Sequence, residues 1–250
     1  MKKIKVGIVN YLNTAPLIYG LENSPVKNMI ELIPDYPSNL AQDLIDGTID
    51  LGLVPVAVIP QLEQWWLIGD HCIGCEGPVA SVCIFSDVPI EKTERVLLDY
   101  QSRTSVELAR LLIRDYWKID AELVNSGKNF QEEIVGTTAG LVIGDRSFEQ
   151  RKVSRYVYDL GEAWKSHTGL PFVFAAWISN KPLADDFVKS FNDANTYGIE
   201  HISDVIALME KNNSFDFEEY FGKYISYDLD DEKKKGLEKF LQYMANGINV

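Results

Sequence analysis

The chain has 250 residues, of which 46% are hydrophobic, so it can bury a core as one large domain or two small ones. Its formal net charge of −13 argues against general binding to nucleic acid or to anionic membranes, because affinity for phosphate depends on clustered lysine and arginine. The charge does not exclude a small anionic ligand, which local hydrogen-bond donors can hold.

The sequence has neither the pattern of a membrane span nor that of a signal peptide, which indicates where in the cell the protein is found. No segment approaches the roughly 18 apolar residues of a membrane span. The short apolar run Val6–Val9 lacks the features of a cleaved signal peptide, and three cysteines are typical of a reducing compartment. We therefore expect a soluble, cytoplasmic protein.

The first third of the chain alternates strand and helix. Apolar runs predict three strands, at Ile4–Val9, Met29–Pro34 and Asp50–Val54. A helix is predicted over Thr14–Leu21, begun by Asn13 or Thr14, and a second is capped by Ser38 and ended by Gly47. This alternation of apolar strands with helices favours a parallel sheet that is covered on both faces.

A second α/β unit and a helical tail follow. Further strands are predicted at Val79–Ser86, Arg95–Asp99, Ala121–Val124, Gly140–Gly144, Arg155–Asp159 and Phe172–Ser179. Helical segments between them are predicted at Thr104–Trp117, Asn129–Val135 and Ser147–Arg151. The tail is predicted to hold one long helix or two over Leu183–Lys211, another over Phe215–Tyr224, and a last amphipathic helix from Asp230.

The joins between the two units fall near Phe85–Val88 and Ala175–Asn180. We therefore predict a two-lobed α/β fold in which residues 87–177 form a middle lobe, inserted into an outer lobe of residues 1–86 and 178–250. Two crossing strands would make a hinge, and a cleft between hinged lobes is a preferred place for a small molecule.

Ligands of open α/β sheets lie beyond the carboxyl ends of the strands, so polar residues at those ends are candidates. Thr104 and Glu107 form a capping-box pattern at the start of a predicted helix. The exposed N–H groups there, the hydroxyls of Ser102, Thr104 and Ser105, and Arg103 offer a seat for a carboxylate or phosphate. The alternative interpretation is a well-capped surface helix with Arg103 in solvent.

Other candidates also have a structural interpretation. Asn13 and Thr14 are ordinary helix caps, and Ser81, within an apolar run, is typical of a small residue bonded to backbone. Asp145 follows a glycine, as turn residues often do. Each is ambiguous when it is considered alone.

Several catalytic arrangements are not found in the sequence. Cys72 and Cys75 form a C-x-x-C pair, but a structural zinc site needs four ligands, so small buried thiols are the better interpretation and no metal is expected. G-x-S-x-G, G-x-G-x-x-G and P-loop motifs do not occur. What remains is a site without a cofactor, lined by hydroxyls, amides and an arginine.

Taken together, six segments resemble the chorismate dehydratase family of the futalosine route to menaquinone, which has a type II periplasmic-binding-protein-like fold. In chain order they are NYLNTAPLIYGLE, GTIDLGLVP, GCEGPVASVCIFS, SRTSVELARLL, LVIGD and DLGEAWKSHTGLPFVFAAW. They extend to residue 177, and the combination of SRTS with TGLPFVFA is the most specific part. The helical tail resembles the family less closely.

The resemblance implies elimination of water from chorismate, giving 3-[(1-carboxyvinyl)oxy]benzoate. It implies Asn13 and Ser81 as the catalytic pair, with water or a carboxylate of the substrate as the base. Around them we expect a cleft that binds this dicarboxylate without cofactor or metal. The expected substrate-binding residues are Tyr11, Thr14, Pro55, Pro78, Ser102, Arg103, Thr104, Ser105, Asp145, Gly169 and Pro171.

One position departs from the family, which usually has small residues after LVIGD. Here Arg146 follows, so this side chain either adds a contact to a substrate carboxylate or crowds the cleft. A non-catalytic cytoplasmic protein that binds a small aromatic or carboxylate anion is the alternative to an enzyme, because fold alone does not separate the two. The oligomeric state is not encoded in any pattern that we identify.

Overall fold

The computed structural model describes residues 3–209 and 216–247, and within these ranges the strands form two β-sheets. The strands are β1 (Ile4–Ile8), β2 (Ile30–Pro34), β3 (Leu51–Pro55), β4 (Trp66–Cys75), β5 (Val82–Ser86), β6 (Arg95–Leu98), β7 (Glu122–Asn125), β8 (Thr138–Ile143), β9 (Tyr156–Asp159), β10 (Phe172–Ser179) and β11 (Ser226–Asp228). The helices are α1 (Ala15–Glu22), α2 (Pro37–Ile45), α3 (Thr104–Leu112), α4 (Arg146–Val153), α5 (Leu160–Thr168), α6 (Asp185–Glu200), α7 (Ile202–Leu208), α8 (Phe217–Glu219) and α9 (Asp231–Gly247).

The first sheet has the strand order β11-β4-β10-β3-β1-β2. Its strands β1, β2 and β3 are parallel, as the sequence predicts, and Val6 pairs with both Leu32 and Leu51. The sheet is nevertheless mixed, because β10 runs antiparallel between β3 and β4. The central strand β3 is buried along its whole length, which explains its unbroken apolar sequence.

The second sheet has the order β7-β6-β8-β5-β9. Strand β6 is parallel to β7 and β8, whereas β5 is antiparallel to β8 and β9. The chain therefore passes from the first sheet to the second within residues 76–81, and it returns through α5 to β10. This differs from the predicted joins after residues 86 and 177, because β5 pairs in the second sheet and β10 in the first.

Several element boundaries also differ from prediction. The helix at Ser38 starts earlier, since Tyr36 is its cap and Ser38 lies in its first turn. For the stretch after Leu183, where one long helix or two are predicted, the structure has two, α6 and α7. The segment after α8 is a π-helical turn, Tyr220–Tyr224. The predicted end points Lys211 and Phe215 lie outside the described residues. Strands β4 and β11 and helix α5 were not predicted.

Helix α1 is held close to α6 by two glycines. A Cβ atom added at Gly198 would lie 1.9 Å from the carbonyl oxygen of Pro16, and one added at Gly20 would lie 2.0 Å from that of Ala194. These contacts leave room only for hydrogen at both positions. The close packing fixes the helix that follows the NYLNT segment.

The thiols of Cys72, Cys75 and Cys83 are free and buried, as expected for packing residues. Among the described residues, no three His, Cys, Asp or Glu side chains are grouped so as to hold a metal ion. Over the same residues, no helix has the length and apolar character needed to span a membrane.

Candidate functional site

One cavity lies at the carboxyl ends of strands from both sheets, where β1, β3, β6 and β8 end. It contains about 700 Å³ of space outside the atoms, part of it open to solvent. Its lining is Val9, Tyr11, Asn13, Thr14, Pro37, Leu53, Pro55, Ile73, Val79, Ser81, Val82, Gln101, Ser102, Thr104, Ser105, Ile143, Gly144, Phe174 and Ala175. This location is the one predicted from the strand ends.

The NYLNT segment supplies one wall of the cavity. A single 3-10 turn leads into α1, with Thr14 at the cap position. The Thr14 hydroxyl accepts the Tyr11 amide N–H at 3.1 Å and is bonded in turn to the carbonyl of Val9. Thr14 therefore occupies the predicted cap position, but its hydroxyl makes no cap bond to α1. Its bonds to the backbone of Tyr11 and Val9 hold the turn from which Tyr11 and Asn13 reach the cavity.

The Tyr11 hydroxyl is buried and has no hydrogen-bond partner among the described residues. Burial raises the pKa of Tyr11 to about 12, and the nearby Asp99 carboxylate acts in the same direction. The phenol is therefore a neutral donor at ordinary pH. A buried donor without a partner costs free energy, so this hydroxyl is suited to meet a ligand acceptor.

A strained turn brings Ser81 into the lining of the same cavity. The Ser81 amide donates to the carbonyl of Val79 at 2.7 Å, with Ala80 between them at φ +61°. Such a three-residue turn with a left-handed centre is rare for a residue with a side chain. The Asp159 carboxylate stabilises it by accepting the amides of Val79 at 3.0 Å and Ala80 at 2.7 Å.

The same carboxylate begins helix α5. It accepts the N–H groups of Gly161 at 2.9 Å and Glu162 at 3.1 Å, which makes Asp159 the helix cap. A Cβ atom at Gly161 would lie 2.4 Å from the carbonyl oxygen of Gly77, so α5 packs directly against the crossing segment. One side chain thus joins the Ser81 turn to the start of a helix.

Two further bonds fix the backbone on either side of Ser81. The Arg151 guanidinium donates to the carbonyl of Ala80 at 3.1 Å. The amide of Gly144, at the end of β8, donates to the Ser81 carbonyl at 2.8 Å. The position of Ser81 is therefore set by contacts that come from three separate parts of the chain.

The start of α3 forms the third wall. Helix α3 begins at Thr104, but the predicted capping box with Glu107 is not formed. Instead the Ser102 hydroxyl accepts the Ser105 amide at 3.0 Å, and the Thr104 hydroxyl accepts the amide of Ala57 at 3.2 Å. The box is absent because Arg103 is the cap residue of α3, and the Thr104 hydroxyl is bonded to the segment that follows β3. The positive end of the helix dipole still faces the cavity.

The remaining predicted binding residues, apart from Pro55 in the lining, lie outside this cavity. Arg103 lines a neighbouring groove and Pro78 a third depression on the surface. Asp145 is exposed beside the lining residue Gly144. Gly169 ends α5 with φ +76°, and Pro171 is buried where β10 is about to begin. These residues lie close in sequence to strand or helix ends, but they are not part of the cavity lining.

Arg146 is engaged by a buried carboxylate and does not line the cavity. Its guanidinium donates to Asp99 Oδ2 at 2.7 Å and to Gln101 Oε1 at 2.9 Å. The Asp99 side chain is fully buried, so Arg146 compensates its charge. Through Gln101, which does line the cavity, this pair shapes the wall without contributing a free cation.

Two tyrosines from the C-terminal part of the chain contact the site, and the sequence does not predict them. The Tyr220 hydroxyl donates to Ser81 Oγ at 3.0 Å, and the Tyr227 hydroxyl donates to the backbone carbonyl of Asn13 at 2.8 Å. Both tyrosines are buried. No local pattern marks them, since each contact spans more than a hundred residues of sequence.

The described lining of the cavity contains neutral donors and apolar walls, and no ionised side chain. Hydroxyl, amide and helix N-terminal groups can bind carboxylates, and the apolar residues can pack against a ring. The arrangement can therefore orient a small anionic molecule against Asn13 and Ser81 and donate hydrogen bonds to it.

Comparison with known proteins shows similarity to one family along nearly the whole chain. A family model described as menaquinone biosynthesis matches residues 4–246. The chorismate dehydratase of Thermus thermophilus is 24% identical over 274 residues, covering 98% of this chain and 96% of that protein. The chorismate dehydratase of Campylobacter jejuni is 25% identical over 244 residues, covering 94% and 95%.

Solved structures agree on the fold. An Archaeoglobus fulgidus protein superposes with a TM-score of 0.75 at 15% identity, covering 98% of both chains. A Candida albicans protein described as having the generic periplasmic binding protein fold gives a TM-score of 0.63 at 15% identity, covering 98% of this chain and 90% of that one. The predicted two-lobed, periplasmic-binding-protein-like fold is confirmed.

The role of Asp159 can be tested by replacing its carboxylate. Asp159→Asn retains one acceptor oxygen but turns an NH₂ group toward backbone N–H groups. We expect it to lower the free energy of unfolding by about 2–3 kcal/mol, measured by urea denaturation.

The matched control is Asp216→Asn, since Asp216 caps α8 through the amides of Glu218 and Glu219 in an exposed position. There the loss should be about 1 kcal/mol or less. Equal losses in the two variants would contradict a special role for Asp159.

Proposed function

The chain belongs to the menaquinone biosynthesis family, and from that premise we propose that it is a chorismate dehydratase. The observation that carries the proposal is that Asn13 and Ser81, from segments associated with different sheets, line one cavity. The product would be 3-[(1-carboxyvinyl)oxy]benzoate, which places the reaction on the futalosine route. No cofactor is part of this proposal.

The proposed reaction needs one C–H and one C–O bond to break. The proton leaves the ring carbon that bears the enolpyruvyl ether, and the C–H electron pair becomes part of the ring π system. The neighbouring hydroxyl departs with the C–O pair and takes up a proton, so water is the second product. Formation of an aromatic ring supplies much of the driving force.

The neutral lining favours catalysis by orientation and hydrogen bonding. Because the described lining has no basic side chain, the base is a carboxylate of the substrate or water. In this scheme the Asn13 amide donates to developing negative charge. Ser81 donates to the departing hydroxyl, which makes it a better leaving group.

Substrate carboxylates would bind to neutral donors. The start of α3, with Ser102 and Ser105, and the unpartnered Tyr11 hydroxyl are the groups that we propose for this task. A cytoplasmic location belongs to the same proposal, because chorismate metabolism and three free thiols both fit a reducing compartment.

The function is tested by incubating the purified protein with chorismate. Loss of the diene absorbance and appearance of the enolpyruvyl benzoate by mass spectrometry are expected. Asn13→Ala and Ser81→Ala should each lower kcat by about 100-fold or more, with smaller effects on chorismate binding. Tight binding of chorismate without turnover by the wild-type protein would instead indicate a non-catalytic binding protein.

The proposed contact between the Tyr11 hydroxyl and the substrate is tested by measuring chorismate binding. Tyr11→Phe should weaken chorismate binding by roughly tenfold or more, because a hydrogen bond to a charged acceptor contributes about 1.5–3 kcal/mol. Since the raised pKa keeps this phenol protonated below about 12, the ratio of the two dissociation constants should be the same at pH of about 7 and about 10. Calorimetric titration measures both.

Tyr19→Phe is the control, since it removes a phenol on α1 that does not line the cavity. A Tyr11→Phe protein that binds chorismate as tightly as wild type would remove Tyr11 from the site. A ratio that collapses toward one by pH of about 10 would show an ordinary, ionising phenol there.

A further inference from the structure

Tyr220 reaches Ser81 from the C-terminal part of the chain. Its side chain is 2% exposed, and its hydroxyl donates to Ser81 Oγ at 3.0 Å. The ring packs edge-on against Phe148 of α4, with centroids 5.4 Å apart, and contacts Phe221 at 5.5 Å. These ring contacts hold the hydroxyl in place against Ser81.

Donation from the Tyr220 hydroxyl restricts the directions in which the Ser81 proton can point. A serine hydroxyl has one proton to donate, and its oxygen here already accepts from the phenol. Among the described residues, the other polar atom within reach of Ser81 Oγ is the Val79 carbonyl oxygen, at 3.4 Å. That distance is long for an O–H···O bond. The Ser81 hydroxyl is therefore better placed to donate its proton into the cavity than to the Val79 carbonyl.

Tyr220 itself is suited to remain a donor. Burial raises the pKa of its hydroxyl well above the usual value, although hydrogen bonding with Ser81 and Asn13 acts in the opposite direction. Ionisation of this phenol would leave a buried negative charge with no cation in the described lining. A neutral Tyr220 keeps donating over the pH range in which the protein is handled.

We propose that Tyr220 is a positioning residue for the dehydration, which orients the Ser81 hydroxyl so that its proton points at the departing hydroxyl of the substrate. This inference rests on the proposed function. It assigns Tyr220 no contact with substrate, because Tyr220 does not line the cavity. Its hydroxyl bonds with Ser81 and also with Asn13, so its effect passes through the two proposed catalytic residues and should act on the rate of the chemical step and not on chorismate binding.

The test is Tyr220→Phe, which removes only the hydroxyl. We expect kcat for chorismate to fall by roughly tenfold or more, while KM stays within about threefold of wild type. The loss should be equal at pH of about 7 and about 9, because a neutral donor does not titrate there. A general structural defect would change KM or the unfolding temperature together with kcat.

The matched control is Tyr224→Phe. Tyr224 lies on the same helical turn, and its hydroxyl bonds to the Glu219 carboxylate at 3.3 Å, away from the cavity. This variant should retain the kcat of wild type. Thermal unfolding of both variants shows whether the native structure is kept.

The outcomes separate the inference from the proposed function. A wild-type protein that does not turn over chorismate would overturn the function and this inference with it. An active wild type with an equally active Tyr220→Phe variant would overturn only the inference. So would a rise in KM at unchanged kcat, since that result would assign Tyr220 to binding.

Discussion

The fold of the site depends on one carboxylate bonded to four backbone amides. Asp159 holds the left-handed turn at Ala80, from which Ser81 enters the cavity, and it also begins helix α5. The turn lies in the segment where the chain passes from one sheet to the other. A strained backbone persists only where its surroundings over-determine it, and here Arg151 and Gly144 add bonds on either side. Ser81 is thus placed by the junction between the sheets.

The electrostatics of the cavity explain how an acidic chain can bind an anion. The nearby charges are neutralised within the wall, since Arg146 is paired with the buried Asp99. What faces the interior is a set of neutral donors and the start of α3. Such groups attract an anion over short distances, and there this attraction outweighs the repulsion from the net charge of −13 on the whole molecule. The same neutrality leaves the proposed reaction without a basic side chain and favours catalysis by orientation.

The parts of the site that could be predicted are those whose signals are local. The NYLNT segment, Ser81 and the start of α3 each combine a strand or helix end with polar side chains, and strand ends meet at one edge of a sheet. Tyr220 and Tyr227 could not be found this way, because their partners are far away in sequence. The predicted joins between the lobes differ from the observed passage between the sheets, because β5 and β10 are apolar on both faces. That pattern does not specify which strands they pair with. Strand β4 was missed because Gly69, Asp70 and His71 interrupt its apolar pattern.

In the proposed complex chorismate lies against Asn13 and Ser81, with its reacting carbons facing both. A crystal structure of the Ser81→Ala variant soaked with chorismate tests this arrangement, because the slow variant should retain intact substrate. We predict density for the ring in this cavity, the ring hydroxyl beside residue 81, and a carboxylate at the start of α3 or at the Tyr11 hydroxyl. Chorismate bound in the groove lined by Arg103, or in this cavity with its ring hydroxyl turned away from residue 81, would contradict it.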